Sequence, residues 1–217
     1  MNEMQEEKKK QVIGLYGEMQ LAMKLHALGW QVHRGYIDEG IDFVISRCYC
    51  ELCKKFTNQF IRQSKFDGKN AKCVTNLCEF CQSQKIDIIT KYLQVKTSEG
   101  KPTKKQNERN FSFHPKIRYD IDKSVFYVWI AVFANSSEQN LESGEDLENA
   151  KIHYYIFHSS DIGKFDDISL PTYQITDNQK TTLRIDINGK VLNAGKKYDY
   201  GCFATFHNDF KILESIK

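Results

Sequence analysis

Tyr92-Leu93-Gln94-Val95-Lys96-Thr97 reads as a β-strand that carries chemistry on one face. Side chains alternate along a strand, so Leu93 and Val95 point one way and Gln94 and Lys96 the other. Just upstream, Ile86-Asp87-Ile88-Ile89 has the same strand character. Further upstream, residues 41–46 form a second strand in which Asp42 and Val44 share one face and Ile41, Phe43 and Ile45 the other. Residues 31–36 form a third, with Gly35 and Gly40 marking the turn between them. A hairpin joining the two chemistry-bearing strands brings Asp42, Gln94 and Lys96 to one sheet surface.

The chain around these strands has 217 residues, 41% hydrophobic and 12% aromatic, enough for one domain with an insertion and against global disorder. A net charge of +3 gives no general pull on nucleic acid, so any such binding comes from local clustering. No apolar run approaches the ~20 residues that span a bilayer, and no membrane association is expected. The opening Met1-Asn2-Glu3-Met4-Gln5-Glu6-Glu7 is acidic and polar, unlike a secretory signal. The expected location is the cytoplasm, where seven cysteines favour metal ligands or buried thiols over disulfides.

Before the strands, residues 8–28 read as a helix stopped by Gly29, with Val12, Leu15, Tyr16, Met19, Ala22, Met23 and His26 as one stripe. Leu21, Leu25 and Leu28 widen the apolar surface, which predicts a heavily buried helix. Glu18 falls on the Leu21, Ala22, Leu25 side, where a carboxylate needs a partner. After the strands come a polar loop at 101–110 with Lys101, Lys104, Lys105 and Arg109, then a short strand at 111–113. Strong strands follow at 124–134 and 151–158, with an acidic, turn-rich loop at 135–150 between them. A short helix at 160–165, weaker strands at 182–187 and 200–206 and a terminal helix at 210–216 complete the pattern.

Packed on the sheet, the N-terminal helix adds Glu18 to Asp42, Gln94 and Lys96. The set suits metal-dependent phosphodiester hydrolysis. Glu18 and Asp42 offer hard oxygens to Mg²⁺, with the Gln94 amide or the Val95 carbonyl as further ligands. Lys96 can orient the nucleophile or stabilise charge on the transition state. In this order, Gly17-Glu18, Asp38-Glu39-Gly40-Ile41-Asp42 and Gln94-Val95-Lys96 resemble the PD-(D/E)xK nuclease superfamily, in the branch with QxK as in Mrr-type restriction endonucleases and resolvase-like domains. The resemblance covers residues 10–100. It implies an α/β, restriction-endonuclease-like αβββαβ core with a mixed central sheet, and Glu18, Asp42, Gln94 and Lys96 as active-site residues. It also implies DNA as substrate, with RNA the other candidate, and Mg²⁺ or Mn²⁺ as cofactor. Enzymes of this kind often act as homodimers so that both strands are cut.

Asp42 and Gln94 are 52 positions apart; setting residues 47–84 aside leaves 14, a hairpin-like separation. The expected division is thus a core of 1–46 and 85–217 with an inserted module at 47–84. That module holds two CxxC knuckles, Cys50-Glu51-Leu52-Cys53 and Cys78-Glu79-Phe80-Cys81, 24 residues apart. Four thiolates at such spacing suit a closed, structural Zn²⁺ site. Cys48 and Cys73 are possible substitutes within it. Lys54, Lys55, Arg62, Lys65, Lys69 and Lys72 alternate there with Phe56, Phe60 and Phe66, a composition suited to phosphates and bases or to a solvated surface over a small core. The leading expectation is an Mg²⁺-dependent endonuclease of restriction, phage-defence or repair type. The alternatives are a non-catalytic nucleic-acid-binding module that uses the zinc insertion and a zinc-ribbon adaptor that binds protein. Cys202 is read as a buried thiol, and His33, His114, His153, His158 and His207, which show no ligand spacing among themselves, are assigned core or surface roles.

Overall fold

The computed structural model describes residues 3–35, 40–57, 60–63, 66–67, 70–71, 75–105, 107–113, 124–133, 147, 150–164, 181–192 and 200–216. Helix α1 (Glu3–Ala27) leads into β1 (Gln31–Arg34) and β2 (Phe43–Cys50). The Cys-rich segment contributes the short strands β3 (Lys55–Thr57), β4 (Phe60–Gln63), β5 (Phe66–Asp67), β6 (Asn70–Ala71) and β7 (Thr75–Cys78). Then come β8 (Ile86–Glu99), β9 (Lys101–Pro102), β10 (Glu108–Phe113), β11 (Val125–Phe133), β12 (Lys151–His158), β13 (Thr181–Asp186) and β14 (Val191–Leu192).

The main sheet runs β1-β2-β8-β11-β12, with β3 on the free part of β2. Its pairs are antiparallel except β8 with β11, which is parallel and needs a crossover. The fold is α/β with a mixed, mostly antiparallel sheet. In the expected αβββαβ order a second helix would fill that crossover. Its described part instead holds β9 and β10, which join a second sheet of order β14-β13-β10-β9. The second sheet lies on the face of the main sheet opposite α1. Phe111, Phe113, Leu183 and Ile185 pack there against Tyr127, Trp129, Ala131 and Phe133, and Phe113 stacks on Trp129 at 4.8 Å. With α1 on one side and strands on the other, β11 is buried along its whole length, as its unbroken apolar sequence requires.

α1 is amphipathic about a different stripe from the one expected. Ile13, Leu21 and Leu25 are buried against Phe43, Ile45, Leu93 and Val95, one helical turn after another. Val12, Leu15, Met19 and Met23 are about half exposed or more. The sequence offers two apolar faces, and the leucine-rich one wins the sheet. Gly29, at φ +87°, ends the helix. The Trp30 N–H donates to Leu25 O and the Gly29 N–H to His26 O, a Schellman closure that turns Trp30 back onto the core.

Other boundaries shift too. β2 runs on past residue 46 to Cys50, while β8 starts at Ile86 as expected, so these two strands flank residues 51–85. Residues 200–206 are not a strand: Tyr200–Thr205 is a 3-10 helix that places Phe203 in the second core. The expected helices at 160–165 and 210–216 are the 3-10 helices Ser159–Lys164 and Phe210–Glu214. His153 and His207 take a core role, their ring nitrogens 3.0 Å apart, with burial lowering the pKa of both. Asp38, Glu39, Cys73, Lys65, Lys69, Lys72 and most of the acidic stretch 135–150 lie outside the described residues.

Candidate functional site

Asp42 stands one residue before β2. Its backbone N–H donates to Leu93 O at 2.9 Å, which extends the ladder by one step. Beyond that step its side chain replaces the missing strand: carboxylate Oδ2 accepts the Val95 N–H at 2.6 Å. The next side chain is held as well. Gln94 Nε2 donates to Gly40 O at 3.0 Å. Gln94 is fully buried, and its Oε1 has no hydrogen-bond partner among the described residues. A buried acceptor left unpaired costs roughly 1–3 kcal/mol, so this oxygen is a ready ligand. Asp42 is thus tied to Val95, and Gln94 to Gly40, two residues before Asp42.

Glu18 arrives from the helix side. Its carboxylate lies 2.9 Å from the Arg34 guanidinium and is one-fifth exposed. Burial raises its pKa; the Arg34 charge lowers it, Asp42 raises it and Lys96 lowers it again. Glu18, Asp42 and Lys96 thus share one electrostatic neighbourhood. Leu93 and Val95 face α1, so Gln94 and Lys96 lie on the reverse face. Glu18 and Gln94 consequently approach Asp42 from opposite sides of the sheet end, not across one surface as expected. Arg34 was not foreseen. The usable signal was register: Arg34 pairs with Phe43, the residue after Asp42.

Gly17 makes the approach of Glu18 feasible. A Cβ at this position would sit 2.3 Å from Thr97 Oγ1 and 2.6 Å from Thr97 Cγ2, whereas one at Gly14 would meet nothing within 4 Å. Gly14→Ala is expected to be neutral or stabilising by up to about 1 kcal/mol, from helix propensity alone. Gly17→Ala should destabilise by about 1–3 kcal/mol through overpacking and displace Glu18. Thr97→Ala in the same chain should recover most of the loss. Thermal denaturation of the four proteins decides, and equal stability of the Gly14→Ala and Gly17→Ala variants would show that the close approach has no cost.

The second constellation is the cysteine cluster. Cys50 Sγ lies 3.5 Å from Cys81 Sγ, and Cys53 Sγ 3.6 Å from Cys78 Sγ. All four ligand atoms fall within 4.8 Å of one another. The cysteines are free, and these separations far exceed the ~2.05 Å of a disulfide. Four sulfurs at ~2.3 Å from a tetrahedral Zn²⁺ stand about 3.8 Å apart, so the cluster can hold a metal such as zinc. The Cys53 backbone N–H holds the Cys50 thiol down, to about 6, while burial pushes Cys53 up to about 12. Cys48, expected as a substitute, is a partly buried free thiol outside the cluster, its pKa raised by burial.

The basic loop after β8 is partly committed to structure. Lys105 pairs with Glu108 at 3.0 Å, and Arg109 folds back to Gly100 O. Among the described residues no helix is long and apolar enough to cross a membrane. No family model, curated protein or solved structure matches this chain.

Proposed function

We propose that this chain is a metal-dependent nuclease that hydrolyses DNA phosphodiester bonds, with Cys50, Cys53, Cys78 and Cys81 holding a structural zinc ion. The supporting observation is the arrangement around Asp42: its carboxylate accepts the Val95 N–H, the buried Gln94 amide is held on Gly40 with its oxygen unpaired among the described residues, and Glu18 feels the charges of both Asp42 and Lys96. Glu18, Asp42, Gln94 Oε1 and the Val95 carbonyl are the oxygens that would hold Mg²⁺ or Mn²⁺. The bound ion would polarise the phosphate and lower the pKa of an attacking water. The chain's own residues orient the reaction. The Val95 N–H fixes Asp42, Arg34 restrains Glu18, and Lys96 offers a fixed cation to the charge that builds on the phosphate oxygens.

One observation favours the non-catalytic nucleic-acid-binding alternative. The Arg34–Glu18 ion pair neutralises a carboxylate that the metal would use. Incubation of supercoiled plasmid, linear duplex and branched DNA with Mg²⁺ or Mn²⁺ separates the readings. Nicking or linearisation that needs the divalent ion supports the nuclease. Tight binding of the same substrates with no cleavage under any metal overturns it in favour of the binding module.

A further inference from the structure

Beside the cysteine cluster, on the α1 side of the sheet, lies an open groove of about 510 Å³ lined by Arg47, Tyr49, Lys54, Lys55, Phe56 and Phe80, with Glu214 at its edge. Its walls are basic and aromatic in alternation. Phe80, between the cysteines of the second knuckle, is 54% exposed, and Lys55 Nζ stands 5.0 Å from its ring centroid. Lys54, immediately after the first knuckle, adopts φ +56° and donates its N–H to Cys50 O. The two knuckles therefore bring Lys54, Lys55 and a half-exposed aromatic ring, one face of it covered by the Lys55 ammonium, to one rim. On the opposite wall the Arg47 guanidinium lies 5.2 Å from the centroid of the Phe56 ring and 2.6 Å from a Glu214 carboxylate oxygen.

We infer that this groove binds an unpaired nucleotide of a nucleic-acid strand, its base stacked on Phe80 and its phosphates on Lys54 and Lys55. The inference rests on the nucleic-acid reading above and adds where, and in what form, the strand is held. An exposed ring in the mouth of a groove leaves large apolar surface in water unless something planar covers it. A base does so whatever its sequence, while nearby lysines neutralise the backbone. A base inside a duplex is stacked on both faces and has none free for the ring, so the groove selects single strands, overhangs or opened junctions. On the second wall Arg47 is already paired with the Glu214 carboxylate, so the strand's phosphates fall to Lys54 and Lys55. Arg47 lies five residues along β2 from Asp42, about 16 Å at strand rise. A strand held in the groove would thus be anchored away from the candidate cutting site.

The test is fluorescence anisotropy of a labelled oligothymidylate and of a blunt duplex of equal length, with the full chain in its metal-loaded form and no added magnesium. The wild type is expected to prefer the single strand. Phe80→Ala should weaken oligothymidylate binding about 5- to 100-fold, from the loss of one base stack, and Phe80→Trp should restore it. Lys54→Gln with Lys55→Gln should weaken binding and flatten the salt dependence by about 0.7 log units for each phosphate no longer neutralised. Zinc content measured on each variant shows that the knuckles are intact. Wild-type preference for the duplex, or unchanged binding by the Phe80→Ala and lysine variants, overturns the assignment. If those variants bind normally while the wild type still cleaves DNA, the groove reading falls and the nuclease reading stands. A wild type that binds no nucleic acid removes both.

Discussion

Lys96→Ala is expected to lower metal-dependent DNA cleavage by about two to three orders of magnitude, the usual loss when one fixed charge that stabilises a transition state is removed. The fold should survive. Lys96 is half-buried on β8 and makes no salt bridge with a described residue, and substitutions of that kind rarely move stability by more than about 0.5 kcal/mol. Asp42→Asn should be as severe in rate and also costly in stability, because the Val95 N–H then loses a charged acceptor. Glu18 supplies a pH signature. Burial raises its pKa, so its carboxylate protonates, and activity falls, at a higher pH than for an ordinary glutamate. Arg34 works against that shift. Arg34→Ala should therefore move the acid limb of the rate profile to still higher pH. Cleavage at full rate by Lys96→Ala would remove Lys96 from the reaction, and an acid limb that Arg34→Ala leaves in place would remove Glu18.

The parts of this arrangement that sequence exposes are local. Alternation along 92–97 separates Leu93 and Val95 from Gln94 and Lys96, and the sheet respects it because a slip of one residue would put Gln94 in the α1 core. The CxxC pairs are legible for a similar reason, since two residues of spacing turn both sulfurs to one side. What sequence hides is the choice between equivalent solutions. α1 offers two apolar stripes; the leucine-rich one is buried, and Gly17 on that face is the notch that fits Thr97 of β8. Arg34 is an ordinary polar strand residue until antiparallel pairing sets it opposite Phe43. The crossover between β8 and β11 reads as a polar loop, because β9 and β10 acquire their meaning from β13, some seventy residues later. For α1 and for the crossover the deciding partner is distant in the chain; for Arg34 it is near, and the hairpin register decides.

The cysteine cluster offers the second large effect. Purified chain should carry one zinc ion, and Cys50→Ser or Cys78→Ser should lose it. Both sulfurs belong to residues with no exposed surface, so neither site can be rebuilt from outside, and Cys48→Ser should keep the metal because Cys48 stands apart from the cluster. The structural consequence should be local. Among its described residues the segment between the knuckles has only short strands of two to four residues to hold it, and a metal that binds only the folded form contributes its binding energy to folding. Outside the knuckles the β2–β8 ladder from Phe43–Leu93 to Cys50–Ile86 persists without the ion, anchored by Ile45 and Leu93 in the α1 core. Limited proteolysis of the Cys50→Ser protein should therefore cut between Cys50 and Ile86 and leave the remaining sheet intact. The melting temperature should fall by about 2–4 °C for each kcal/mol removed from a chain of this size. A Cys50→Ser protein with wild-type metal content, or with an insertion as resistant to protease as the wild type, would show that the four thiols meet without an ion to hold. The same experiment bears on the groove, because Lys54, Lys55 and Phe80 are positioned by the two knuckles. Oligothymidylate binding should fall with the zinc, even though none of the four sulfurs touches the strand.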